Sequence, residues 1–199
     1  NGRVLRRNPL SMLTLQMPAL PDPVRVVLQP ATTALLVFDM IDRICKNQPN
    51  CTGVMVPALA SLLARARKAG VFVLYSTREP ESSNWMPEVA PASGDPVVKS
   101  VGQDRFYSTD LDKMLKAKGI TTLILTGWKV SGSVVYTWVG ATLRGYTVVV
   151  RTDGSLAATD YEVAIGQFQI LNQNSANATN EPLKANASTL SRTDMIIFQ

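Results

Sequence analysis

Four short, almost wholly apolar runs, at 33–38, 71–75, 121–125 and 146–150, recur along the chain and constrain its fold more than any other feature. Each is too short for a typical buried helix and lacks the polar alternation of a strand with one wet face. They therefore read as strands covered on both sides. The segments between them are helical in pattern. Residues 57–69 are amphipathic and close at Gly70, while 111–117 follow a capping group in Ser108, Thr109 and Asp110 and stop before Gly119. Residues 132–144 and 160–171 complete the set. Strands alternating with helices imply right-handed crossovers, and so an α/β fold with a doubly wound, mostly parallel open sheet and helices on both faces.

The remaining segments fit around this frame. Residues 1–31, rich in Pro, Arg and Leu without a steady period, read as an N-terminal arm, with 32–199 as the folded domain. The run 97–99 reads as a short strand and 195–198 as a final edge strand. The stretch 77–96, dense in Pro, Ser and Glu, is a long loop of the kind that often carries function. The Asn-, Ala-, Ser- and Thr-rich stretch 172–194 reads as a surface excursion.

Composition narrows the function classes. The chain has 199 residues, 46% of them apolar, which suits one domain better than two. No run approaches the roughly 18 apolar residues of a membrane span, and no basic-then-apolar leader is present, so no membrane partner is expected. The formal charge is +5, but the basic residues are scattered, so no nucleic-acid partner is expected either. The chain has no histidine. That excludes a Ser-His-Asp triad and a His-ligated zinc site; no metal and no cofactor are expected. Cys45 and Cys51 could be inert thiols or could close a small disulfide loop. The triplets starting at Asn50, Asn177 and Asn186 match glycosylation acceptors and lean toward a secreted protein over a cytoplasmic one.

In an open parallel sheet the site forms beyond the carboxyl ends of the strands. Asp39 follows the first apolar run directly, Lys99 ends the short strand, and Ser133 lies in the turn Gly127-Trp128-Lys129-Val130-Ser131-Gly132-Ser133 at the start of a helix. Three strand ends would thus converge on one cleft.

From Leu36-Val37-Phe38-Asp39 through Val97-Val98-Lys99, Thr109-Asp110-Leu111 and Leu125-Thr126-Gly127 to Arg144-Gly145-Tyr146, order and spacing resemble the isochorismatase-like, or cysteine hydrolase, family. The resemblance implies a Rossmann-like hydrolase acting on a small-molecule amide (C–N) bond, with a catalytic set of Asp39, Lys99 and position 133. It implies an oxyanion hole from the backbone N–H groups of Lys129 and Ser133, beside a cis peptide at Trp128–Lys129. A homo-oligomer is also expected.

Two departures stand out. Ile41 occupies the place of the family's glutamine, and serine occupies the place of the cysteine nucleophile. Serine can be a replacement for cysteine, or native to a branch in which Asp39 is the general acid for vinyl-ether (isochorismate-type) hydrolysis. It can also mark a catalytically silent structural or interaction relative. Serine is much less acidic than a thiol and Asp39 a weak base for it. For pocket walls the expected residues are Trp128, Trp85, Phe106 and Tyr107, with Arg105 or Arg78 for a substrate anion. Ordinary packing is the competing role for each aromatic. Trp138 is expected in the core or at a subunit contact.

Overall fold

The computed structural model describes residue 16 and residues 19–78, 84–173 and 175–199. Strand β1 (Val26–Leu28) stands apart from the main sheet, which contains β2 (Thr33–Phe38), β3 (Phe72–Arg78), β4 (Val97–Ser100), β5 (Thr122–Gly127), β6 (Thr147–Arg151) and β7 (Ser188–Ser191). Their spatial order is β4-β3-β2-β5-β6-β7, and every pairing is parallel. The chain runs outward from β2 to β4, then returns to the other side of β2 to lay down β5. This reversal makes the carboxyl ends of β2 and β5 the topological switch point, where a crevice opens in such sheets.

The helices are α1 (Asp42–Cys45), α2 (Val56–Ala69), α3 (Leu111–Ala117), α4 (Val135–Leu143) and α5 (Asp160–Asn172). Strand β2 shows why its run is apolar throughout. Ala34, Leu36 and Phe38 pack with Leu111 and Leu115 of α3, Trp138 of α4 and Ile170 of α5, while Leu35 and Val37 pack with Leu59, Leu62 and Leu63 of α2. Alternate side chains feed two cores, one on each face. Each fully buried Leu, Val or Phe stabilises the fold by about 1.5–3 kcal/mol.

The C-terminal region departs from the expectation. Residues 195–198 do not close the main sheet; β8 (Ile196–Phe198) pairs in parallel with β1 in a separate two-stranded ribbon. The sheet edge is instead β7, whose four residues Ser188-Thr189-Leu190-Ser191 are all buried and lie inside the stretch read as a surface excursion. Asparagines secure it. Asn180 donates to the carbonyls of Leu190 and Asp22 and accepts from the Leu190 N–H, and Asn177 donates to those of Glu181 and Ser188. Buried and spent in this way, Asn177 is structural rather than an exposed acceptor for glycan. The part of the expected arm that is described, β1 and the residues before it, lies across β7 and β8, with Val24 N–H donating to Leu190; the rest of 1–31 lies outside the described residues, residue 16 excepted.

Two local details matter for the site. Helix α4 begins at Val135, later than the expected 132, because an irregular turn at Val130–Val134 precedes it with Gly132 out of helical conformation. The sulfurs of Cys45 and Cys51 are bonded, closing the segment between α1 and the turn before α2.

Backbones approach closely at Gly127, where φ is +132° and an added Cβ would sit 2.1 Å from the Phe38 carbonyl oxygen. Neither the conformation nor the space admits a side chain. Gly127→Ala is expected to cost at least about 2 kcal/mol of unfolding free energy, measured by urea denaturation against the unchanged protein.

Candidate active site

Asp39, directly after β2, has φ +52°, a left-handed conformation that aspartate tolerates better than most residues. That kink turns the chain out of the sheet into α1 and leaves the carboxylate at the strand end, 5% exposed. From the next strand, β5, the chain crosses at Gly127, passes a cis peptide bond at Trp128–Lys129 and turns so that Ser133 faces Asp39. Ser133 Oγ donates to Asp39 Oδ2 at 2.8 Å.

A cation completes the cluster. Arg105 is fully buried; its Nη2 is ion-paired with Asp39 Oδ2 and donates to Ser133 Oγ at 2.7 Å. Burial holds its guanidinium below its usual range, the charge of Asp39 opposes that fall, and Arg78 adds to it. The loop that delivers Arg105 is tied to α4 and α3: Arg105 N–H donates to Thr137 Oγ1 at 3.1 Å, and Thr109 Oγ1 donates to the Arg105 carbonyl at 2.6 Å. The same Thr109 hydroxyl accepts from Leu111 N–H at the start of α3, so the capping group anchors the loop as well as the helix.

The turn after β5 is held from α5. Lys129 Nζ is ion-paired with Glu162 Oε1, and Ser131 Oγ donates to the same oxygen at 3.2 Å. The Lys129 hydrogen bond keeps the Glu162 carboxyl below the usual range. Glu162 is placed by Thr159, the N-cap of α5, whose side chain accepts from Glu162 N–H. A cavity of about 220 Å³ opens above Asp39 and Ser133, lined also by Arg43, Ile44, Arg78, Gln103, Trp128, Lys129 and Gly132. Its charged walls are mostly cationic.

The structure places Asp39, Ser133, Lys129, Trp128 and Arg78 around one cavity. Lys99 is placed elsewhere. On β4, Val98 and Ser100 turn inward while Val97 and Lys99 are exposed, and among the described residues Lys99 makes no hydrogen bond or ion pair with Asp39 or Ser133. The cation there is Arg105, expected from the sequence as a substrate ligand. The other aromatics do not line the cavity. Phe106 is a core residue stacked on Tyr146, Trp85 packs edge-on against Tyr75, and Tyr107 is 62% exposed. Trp138 is 1% exposed, in the core. Arg43 and Ile44 lie on the short helix α1 and Gln103 in an irregular segment, and no sequence pattern singled them out. Among the described residues no group of three or more His, Cys, Asp or Glu side chains is placed to hold a metal ion, and no helix is long and apolar enough to cross a membrane.

The Isochorismatase domain model matches residues 33–180, and the chain belongs to that family. Among curated proteins it is 29% identical to the ureidoacrylate amidohydrolase RutB of Methylobacterium radiotolerans, over 56% of this chain and 61% of that protein. RutB of Pseudomonas syringae pv. syringae is 24% identical, over 56% and 64%. The chain thus spans roughly three fifths of the length of these relatives. Among solved structures, the N-carbamoylsarcosine amidase of Thermoplasma acidophilum superposes with a TM-score of 0.66 at 23% identity, covering 82% of this chain and 97% of that one. A cysteine hydrolase from Pseudomonas syringae pv. phaseolicola gives 0.70 at 21%, covering 87% and 94%. These likenesses show the fold, an open parallel α/β sheet shared with isochorismatase-like hydrolases.

The ion pair at the cavity floor has a stability consequence. Arg105→Met leaves the Asp39 carboxylate buried without its cation and is expected to cost about 3–5 kcal/mol. Adding Asp39→Asn to that variant removes the stranded charge and is expected to restore a large part of the loss, measured as a double-mutant cycle in urea.

Proposed function

We propose that the chain is a hydrolase of small-molecule amide (C–N) bonds, with Ser133 as nucleophile, Asp39 as its base and Arg105 as the cation of the set. The observation that carries this reading is the 2.8 Å hydrogen bond from Ser133 Oγ to Asp39 Oδ2 on the floor of an open cavity. A proton path from nucleophile to base is already in line. Attack by Oγ on the amide carbon passes its proton to Asp39, which later returns it to the departing nitrogen. Water then hydrolyses the ester formed on Ser133. The backbone N–H groups of Lys129 and Ser133 are the donors for the tetrahedral oxyanion, and the amino end of α4 favours the same negative charge. Arg43 and Arg78 suit a substrate that carries an anionic group. The relatives called ureidoacrylate amidohydrolase support amide chemistry.

The two other readings fit the site less well. Vinyl-ether cleavage needs a proton to be delivered from Asp39, which here faces a guanidinium that donates to it and cannot accept. A silent structural relative is expected to have its pocket filled by side chains, and the cavity over Asp39 and Ser133 is open.

The test is an assay of the protein and of Ser133→Cys, Ser133→Ala and Asp39→Asn against a panel of small anionic amides and isochorismate. Amide turnover is expected to rise in Ser133→Cys, since a thiolate is the easier nucleophile to form, and to fall at least about 100-fold in Ser133→Ala and Asp39→Asn. Vinyl-ether cleavage that survives in Ser133→Ala would sink the covalent reading.

A further inference from the structure

Ser133 Oγ has three polar neighbours: Arg105 Nη2 at 2.7 Å, Asp39 Oδ2 at 2.8 Å and, at 3.3 Å, the end of the Gln103 carboxamide placed as Oε1. A hydroxyl has one proton to give and two lone pairs to receive with. The neighbours therefore cannot all be chosen freely. Asp39 is ion-paired to Arg105 and has no proton to offer, so the short contact to its oxygen takes the serine proton. Arg105 has only donors. The remaining lone pair of Oγ calls for another donor, and the Gln103 group that meets it must be the amide nitrogen, since the oxygen and nitrogen of a carboxamide are assigned from the network around them.

With the nitrogen turned to Ser133, the carboxamide oxygen of Gln103 turns away from it. Gln103 lines the cavity. The other hydrogen-bonding side chains in that wall are cations, Arg43, Arg78 and Lys129, the indole donor of Trp128, and the Asp39–Ser133 pair, which is bonded through Oδ2 and leaves Oδ1 as a charged acceptor. The oxygen of Gln103 is then the one neutral acceptor among the described side chains of the cavity that is not spent within it. Its backbone is fixed independently, since the Gln103 carbonyl accepts from Thr137 Oγ1 at 3.3 Å, on the same hydroxyl that holds Arg105 N–H. The side chain thus reaches the nucleophile from a pinned position.

We propose that Gln103 is a specificity-determining residue: its amide nitrogen donates to Ser133 Oγ, and its oxygen accepts from an N–H next to the scissile carbonyl, selecting amides and ureides over esters. This rests on the amide reading above and adds the part of the substrate that is read. A site that hydrogen-bonds a substrate N–H discriminates against the analogue that lacks it, because the acceptor is then left without its partner.

Two measurements separate this proposal from that reading. In the first, kcat/KM is determined for a matched amide and ester, with the Ser133→Cys protein used in parallel, before and after Gln103→Met, a change of similar length and no acceptor oxygen. The amide-to-ester ratio is expected to fall about tenfold, over and above any loss shared by both substrates from removing the donor to Ser133. An unchanged ratio while amide turnover persists overturns the proposal and leaves the amide reading intact. Absence of amide turnover from both proteins overturns the amide reading and the specificity role with it.

The second measurement needs no turnover. In ¹⁵N-labelled protein the Gln103 side-chain NH₂ resonances, identified by their loss in Gln103→Met, are expected at a hydrogen-bonded position that relaxes toward that of a free carboxamide in Ser133→Ala. Identical positions in the two proteins overturn the orientation and the proposal.

Discussion

The close approach of β2 and β5 at their carboxyl ends governs the site. Gly127 lies against the Phe38 carbonyl, Trp128 N–H donates to that same oxygen at 3.0 Å, and Gly127 N–H donates to Gly154 at 2.8 Å. Two strands that had run in register from Thr33 to Phe38 must separate at this point. Asp39 leaves by a left-handed kink, and the other chain leaves through Trp128 and Lys129. The crevice between them is a consequence of the sheet topology, and the residues that first leave the sheet are the ones that face each other across it.

A chain without histidine has few ways to place charge near a buried hydroxyl. Here the arrangement is a carboxylate and a guanidinium, both withdrawn from water, sharing contact with one hydroxyl. Burying either charge alone is expensive; paired through one contact, each offsets the other's charge, while Asp39 Oδ1 and Arg105 Nε and Nη1 have no hydrogen-bond partner among the described residues. Arginine suits the position because it stays charged when desolvated and offers several donors in a fixed plane. The surrounding cations, Arg43, Arg78 and Lys129, sit in the cavity wall; Arg43 and Arg78 are exposed and Lys129 is paired with Glu162.

The layers of the fold and two members of the site were legible in the sequence, for one reason. Strand ends in a parallel sheet are marked by abrupt loss of apolar character, so Asp39 and Ser133 could be located from Phe38 and from Gly127. Lys99 looked equivalent by that rule. Strand alternation on β4 turns it outward, and a cation six positions later in the chain folds back through Thr137 and Thr109 to take the contact. Phe106 and Tyr107, adjacent in sequence, went to the core and to solvent because an irregular loop has no period from which direction could be read. The polar run 188–191 was missed as a strand because its burial depends on asparagines that close around it, and composition alone marks such residues as exposed.

By itself the sequence determined the class of architecture, the family, and the places where the chain must leave the sheet, because hydrophobic periodicity and glycine positions act locally and leave a local record. The tertiary structure alone decided which cation meets Asp39, that the Gln103 side chain reaches Ser133, and which of the aromatic side chains border the cavity. Those outcomes depend on packing among residues 28 to 94 positions apart in the chain, a distance over which no local pattern carries information.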